Sequence, residues 1–371
     1  MNMLRSFNMS RHSVPNLVVA QRVLHKMASA ARHFIEDETG EAMVGLVVPG
    51  GKTGIDTIYV LDTISPDDSA VRQLHTFQQG DERQDEIIWW LQENWRVHRE
   101  HHQGRSSRWD VPLRYLGDWH KQPGFMVAPS GGDQRTALDW LDDDENGMEY
   151  LLAPILTLGH PSTIINAPPN ANFVMIPQAD DLHMRVDFWY IHRDVRLFQP
   201  IIPAVYPDEQ LPELAAYPWH LVNQSRANQE FALLHEDELF TSIVLWNVTD
   251  DPPLEICLMT ARMGADRVLL IITAWNYPQQ PPQARVAPFT QLEAAEDIYT
   301  VFEDLWAAST PVPDPPGWKW TEDRYLVDYI RALEQSLGMK SSSKPLGGMG
   351  QHAGEPGVSA ADVVSPEEEA Q

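Results

Sequence analysis

The stretch that most constrains the fold runs from Leu113 to Leu141. Leu113–Trp119 reads as a strand, and it delivers His120 at its end. Lys121-Gln122-Pro123-Gly124 follows, and after a loop Ser130-Gly131-Gly132-Asp133 opens a helix that continues to Leu141. A strand ending in an imidazole, then a loop, then a helix begun by a carboxylate can bring the two side chains to one point, and such a pair can hold zinc. A hydrolytic zinc also needs a carboxylate that is not a ligand, to take a proton from water. Glu38 and Glu41, in Glu38-Thr39-Gly40-Glu41 at a helix-to-strand junction, are the two candidates.

The pattern around this segment alternates strands and helices. Val18–Ala20 reads as a strand and Gln21–Ile35 as a helix with Val23, Leu24, Met27, Ala31 and Phe34 on one face. Ala42–Val48 and Thr57–Leu61 read as a hairpin around Pro49-Gly50-Gly51. Asp81–Arg96 carries Ile87, Ile88, Leu91 and Trp95 at helical spacing, and Leu151–Leu158 and Met184–Ile191 read as strands. Pro200, Pro203, Pro207 and Pro212 mark a junction. Beyond it come a helix over Asn223–Glu236 and a meander of Phe240–Val248, Leu254–Met263 and Arg267–Trp275. Helices over Gln291–Ala308 and Glu322–Leu337 complete this part. One helix and then a meander is an α+β signature. After Gly338 the Ser-, Gly-, Pro- and Glu-rich chain has no periodicity and is expected to be disordered. The expected organisation is a first domain over 1–202, a junction over 203–222, a second domain over 223–338 and a tail over 339–371.

Charge narrows the partners. The 371 residues carry a formal net charge of −26, which repels phosphate backbones and anionic lipid, so neither nucleic acid nor a membrane is expected to bind. The tail holds only two lysines against five acids, so nearly all the excess belongs to the folded domains and favours a basic protein partner. No run approaches the roughly 18–20 apolar residues of a membrane span. With one cysteine, Cys257, and no apolar leader near the N-terminus, a cytoplasmic protein is expected.

Three segments carry a family resemblance. ETGEAMVG (Glu38–Gly45), GDWHKQPG (Gly117–Gly124) and PSGGD (Pro129–Asp133) resemble, in order and spacing, the JAMM motif of the JAB/MPN metalloproteases. That motif is a glutamate in an E-T-G-G-like strand start, then H-x-H-P, then S-x-x-D. The resemblance covers about Val14–Ile202 and implies the deubiquitinase-like fold, a sheet flanked by helices. It also implies a Zn2+-dependent isopeptidase acting on a ubiquitin-like protein or its conjugates. It makes Glu38 the catalytic glutamate, His120 and Asp133 zinc ligands, and Ser130 the group that steadies the tetrahedral intermediate. Gln122 stands where the family has its second histidine, and an amide oxygen is a poorer zinc ligand than imidazole. Either the metal is held with Gln122, or with His98, His101 or His102 completing the shell, or the site no longer binds zinc.

The second domain resembles the ubiquitin-conjugating (UBC) and RWD fold. Asn276-Tyr277-Pro278-Gln279-Gln280-Pro281-Pro282 follows one helix and three strands, where that fold has a Y-P-x-x-P-P turn. The family's catalytic cysteine lies after the turn, and none occurs here. The resemblance therefore implies a binding module rather than a conjugating enzyme, with Cys257 a buried strand thiol. Elsewhere the plainer interpretation is preferred: Glu41 as a solvent-facing charge, His160 as a loop histidine, His98, His101 and His102 as a solvated loop, and Asp142–Glu145 as a solvated turn. The alternative to an isopeptidase is an inactive JAB/UBC-like scaffold in a ubiquitin-like pathway.

Overall fold

Alternation along a strand decides which side chains share a face, and here three long strands do most of that sorting. The computed structural model describes residues 13–67, 69–74, 76–79, 82–101, 108–144, 146–160, 168–177, 183–248, 252–289 and 297–339. The expected tail and the start of the helix placed at Gln291 lie outside these residues. The described residues fall into two compact units. One lies within Met1–Ala227, Leu245–Cys257 and Thr273–Gln280, the other within Asn228–Val244, Leu258–Ile272 and Pro281–Gln371. Both helices and sheets are present throughout, an α+β chain.

In the first unit, β1 (Asn16–Ala20) runs directly into α1 (Gln21–His33), and β2 (Thr39–Val48) and β3 (Thr57–Ile64) make the expected hairpin. A small hairpin, β4 (Val71–Gln73) and β5 (Thr76–Gln78), leads to α2 (Glu82–His101), β6 (Leu113–Lys121) and α3 (Gly131–Asp142). Then follow β7 (Tyr150–Leu152), β8 (Ile155–Leu158), β9 (Phe173–Ile176), β10 (Met184–Asp187), β11 (Trp189–His192), β12 (Gln199–Pro200), β13 (Pro203–Tyr206) and the short α4 (Trp219–Val222). The main sheet has the order β13-β1-β3-β2-β6-β8-β10-β9. β1 runs parallel to both β3 and β13, and β6 parallel to β8. Residues 203–206, within the expected junction, are thus the edge of this sheet.

Helix α1 buries Val23, Leu24, Met27, Ala28 and Ala31 on one stripe. Each large side chain in it contributes roughly 1.5–3 kcal/mol relative to exposure. Lys121 closes the helix: its stem is buried and its Nζ donates to the carbonyls of Phe34 (2.5 Å) and Ile35 (2.7 Å). A cation at a helix C-terminus satisfies carbonyls that have no partner within the helix.

Two apolar runs expected to be single strands are each divided. Leu151–Leu158 breaks at Ala153-Pro154, where β7 joins a small sheet of order β12-β11-β7 and β8 joins the main one. Pro154 has no N–H to donate to a ladder, and Ala153 N donates instead to Trp189 O at 2.9 Å. Met184–Ile191 breaks at Phe188, whose N–H donates to Asn172 O at 2.7 Å. Both runs therefore turn from one sheet to the other at neighbouring points.

Beyond these come α5 (Gln224–Glu236), β14 (Leu239–Trp246), β15 (Glu255–Arg262), β16 (Arg267–Thr273), β17 (Gln283–Pro288), α6 (Ile298–Ala308), β18 (Thr310–Val312) and α7 (Leu326–Ser336). The five strands form one sheet in chain order. The last helix starts four residues later than its expected Glu322, because its cap is remote in sequence. Tyr325 supplies no side-chain cap, and buried Glu230 accepts from Leu326 N at 2.8 Å.

A buried ion cluster ties the second unit together. Arg262 donates to Glu334 (2.8 and 3.0 Å) and to Asp237, and Arg331 donates to the other Asp237 oxygen at 2.5 Å. Two guanidinium groups against two carboxylates leave no net charge to desolvate. Removing one member strands the rest, at a typical cost of about 3–5 kcal/mol. Asp237→Ala is accordingly expected to lower the unfolding free energy by that amount in urea titrations, whereas Asp266→Ala, at an exposed pair, changes it by less than about 1 kcal/mol.

Candidate functional site

The β2–β6 ladder sets Thr39 opposite Lys121, Gly40 opposite His120, Glu41 opposite Trp119 and Ala42 opposite Asp118. Directly opposed residues of an antiparallel pair share a face, and alternate residues along each strand do too. One face therefore carries Gly40, Ala42, Asp118 and His120, and Glu38 and Gln122 lie just beyond the ends of the two strands. The other face carries Glu41, Trp119 and Lys121. Of the two glutamates that the sequence left open, Glu41 lies within β2 and Glu38 just before it.

Glu41 is on the wrong face for the site, and it is not the solvent-facing charge expected of it: only 4% of it is exposed. Its Oε2 accepts from Thr63 Oγ1 (2.7 Å) and Trp119 Nε1 (3.4 Å), its Oε1 from Ser65 Oγ, and Trp119 Nε1 also donates to Thr63 Oγ1 at 2.9 Å. It is a structural anion held by hydroxyl and indole donors. Glu38 is half-buried, and its backbone N–H donates to Gln73 O at 2.9 Å, fastening the strand start to the β4–β5 hairpin. Gly40 between them cannot be replaced: a Cβ there would lie 2.3 Å from Trp119 O and 2.7 Å from the Phe77 ring.

On β6, the backbone that carries the site is fixed from its other side. His120 N donates to Pro154 O (3.1 Å) and Gln122 N to Leu156 O (3.0 Å). Pro123 then ends the pairing. Ser130 is the N-cap of α3, its Oγ accepting from Gly132 N (3.1 Å) and Asp133 N (3.2 Å), while Asp133 Oδ2 accepts from Ser130 N at 2.6 Å. This reciprocal capping box holds the Asp133 carboxylate in the positive field of the helix start. Its other oxygen, Oδ1, stands 4.0 Å from His120 Nε2.

Burial lowers the His120 pKa, against the opposing pull of Asp133 and then Gln122. The imidazole is therefore neutral at pH 7, the form that ligates metals. Gln122 Nε2 reaches Met126 Sδ at 3.9 Å, while its Oε1, beside the His120 ring, is buried without a hydrogen-bond partner. Four expected residues, His120, Gln122, Ser130 and Asp133, thus meet where β6 ends and α3 begins, while Glu38 lies just before β2 and its charge acts on Lys121.

No group of three His, Cys, Asp or Glu side chains able to hold a metal occurs among the described residues. The donor set here is one imidazole, one carboxylate and the orphaned Gln122 amide oxygen. The 4.0 Å between His120 and Asp133 does not exceed two zinc bonds of about 2.0–2.2 Å, and a cation would give Gln122 Oε1 the partner it lacks. These residues fit a divalent metal, with a third ligand weaker than a histidine. His98 and His101 lie instead on the last turns of α2, and His102 falls outside the described residues. Asp142 pairs with Arg196 at 2.6 and 2.8 Å.

Sequence reasoning passed over Asp118, two residues before His120 and on its face. Alternation was the signal that could have found it. Burial raises its pKa to about 6, opposed by the neighbouring Tyr115 and Gln79 side chains and helped by the Asp85 charge.

No family model matches the chain, and no curated protein does. Among solved structures it is similar to the solution structure of protein DSY2949 from Desulfitobacterium hafniense. That match has 12% identity and a TM-score of 0.30, and it covers 52% of this chain and 93% of that one. No helix among the described residues is long and apolar enough to cross a membrane.

Two stability measurements check this geometry. Glu41→Ala, which leaves buried donors unpaired, is expected to cost about 2–4 kcal/mol, and Glu38→Gln less than about 1 kcal/mol. For Asp118 the folded pKa lies above the unfolded value of about 3.9, so its proton is held more tightly in the folded state. Its ionisation then costs nothing below pH 4, and progressively more up to about pH 6. Asp118→Asn removes that cost, so its stability advantage in urea titrations grows between pH 4 and pH 6 and is level above, with a ceiling of about 3 kcal/mol. An advantage that does not change with pH contradicts the assignment.

Proposed function

We propose that residues 1–202 form a cytoplasmic JAB/MPN-type zinc isopeptidase acting on a ubiquitin-like protein or its conjugates, and that residues 223–338 form a conjugating-enzyme-like (UBC/RWD) module that binds without catalysing. The observation that carries this reading is the approach of His120 to Asp133 at 4.0 Å, with Ser130 locking the carboxylate in place. His120, Asp133 and the Gln122 amide oxygen would hold the ion. When bound, zinc polarises the scissile carbonyl and lowers the pKa of a water. Glu38, just before the start of β2, takes the water's proton and returns it to the leaving amine. Ser130 Oγ receives two backbone N–H groups, which leaves its own O–H to donate to the oxyanion.

The second module contains the meander order and the Tyr277-Pro278 turn of the resemblance, but no nucleophile. Cys257 is buried in β15, and burial pushes its thiol pKa far up, so it remains a thiol at neutral pH. The acidic surface suits a basic protein partner.

A second reading, an inactive JAB/UBC-like scaffold, is favoured by one observation: Gln122 at the place of an imidazole. Elemental analysis and cleavage of ubiquitin-like fusions decide between them. The isopeptidase reading expects about one zinc per chain, lost in His120→Ala, and cleavage abolished in Glu38→Gln with zinc retained. Gln122→His is expected to tighten zinc binding at least about tenfold, as a stronger ligand replaces a weaker one. A wild type that stays folded, metal-free and inactive at saturating zinc supports the scaffold.

A further inference from the structure

A cavity of about 960 Å3 opens beside the site, between α2, β6 and the segment that follows α3. Its walls are chemically biased. Asp56, Asp85, Asp118 and Glu149 line it against a single cation, Arg114. Tyr115 and Trp140 line it as an aromatic pair, with ring centroids 5.5 Å apart and planes tilted by 34°. Carboxylates together with aromatic faces are the combination that receives guanidinium and ammonium groups.

The strand is distorted so as to aim these groups. The β2–β6 register shifts between Met43 and Val44, setting Gly117 opposite one and Tyr115 opposite the other. Gly117 takes φ of +120°, and a Cβ there would strike Leu152 O at 2.1 Å. This bulge turns Tyr115 and Asp118, three residues apart, to the same face. Two of the side chains so gathered also lack partners. Asp118 is buried with Oδ1 unbonded, and Gln79, lining the same cavity, has both its Oε1 and its Nε2 buried and unbonded. A cation entering here would complete the Asp118 carboxylate.

We infer that this cavity receives a basic side chain, arginine or lysine, of the polypeptide whose bond is cut at His120. The assignment rests on the isopeptidase reading for its choice of a polypeptide over a free cation. Asp118 is two residues from His120 along one face, roughly 7 Å of strand, so a chain lying across the site brings a side chain next to the scissile bond over the cavity. The pocket thus selects substrates by charge, independently of how the bond is broken.

Binding tests this without any cleavage. The full-length protein in EDTA is titrated by fluorescence anisotropy with a labelled glycine-rich peptide carrying one arginine, and with the same peptide carrying glutamine. The arginine peptide is expected to bind at least about tenfold more tightly, as a desolvated charge-assisted contact requires. Asp118→Asn and Asp85→Asn are each expected to remove that preference while leaving the glutamine peptide unaffected. Asp85 lies exposed on α2, so its variant leaves the sheet untouched. Equal affinity for the two peptides, or a preference that survives both variants, overturns the inference. Binding of spermidine without binding of the arginine peptide also overturns it, in favour of a free polyamine. A peptide preference in a protein that never cleaves its fusions would instead sink the isopeptidase reading and leave the pocket standing.

Discussion

The pairing of β2 with β6 is the constraint on which the rest depends. Once Gly40 faces His120, alternation commits every other side chain on the two strands. Asp118 and His120 go to the face of the candidate site, and Glu41, Trp119 and Lys121 go to the opposite face, where Glu41 meets Thr63 and Lys121 reaches the end of α1. A slip of one residue would exchange the two sets, burying the site and exposing the anchors. The anchors oppose such a slip. The Glu41 carboxylate finds its donors on β3 and the loop after it, and the Lys121 ammonium finds carbonyls at the end of α1. The observed register in turn requires glycine at position 40, where a Cβ has no room.

The candidate site and the groups that hold the fold are therefore divided between two faces of the same few residues. Glu41 and Lys121 are charges that do no chemistry, each buried and each satisfied by several partners. Asp118 and Gln122 are the reverse, polar groups of the candidate site and its surroundings with atoms left unbonded. An unsatisfied buried polar atom usually costs 1–3 kcal/mol or more, and such costs persist where something outside the chain supplies the missing partner.

Much of this was legible in the amino-acid sequence, for identifiable reasons. The β2–β3 hairpin, α1 and the strand–loop–helix from Leu113 to Leu141 are local: period, turn residues and cap all lie within a few positions of one another. What was missed depended on distant partners. Glu41 looked like a surface charge because Thr63, Ser65 and Trp119, which bury it, are 22 to 78 residues away. The start of α7 was misplaced because its cap, Glu230, comes from another helix 96 residues earlier. Leu151–Leu158 looked continuous because both its halves are apolar, and Met184–Ile191 because Val186, Phe188 and Tyr190 alternate without a break; their division between sheets follows from where Ala153 and Phe188 find partners. Asp118 was overlooked beside a histidine that drew attention to itself, although simple alternation pairs them.

The capping box at Ser130 and Asp133 has a consequence for the order in which the site is assembled. Its hydrogen bonds are all internal, so the first turn of α3 forms and the carboxylate is aimed before any ligand arrives. Small metal domains whose ligands hang on otherwise unstructured loops collapse when stripped by a chelator. Here the scaffold closes on itself, and whatever occupies the space between His120 and Asp133 enters a finished socket. Folding then does not wait on occupancy, although any ligand bound there adds its binding free energy to the stability of the fold.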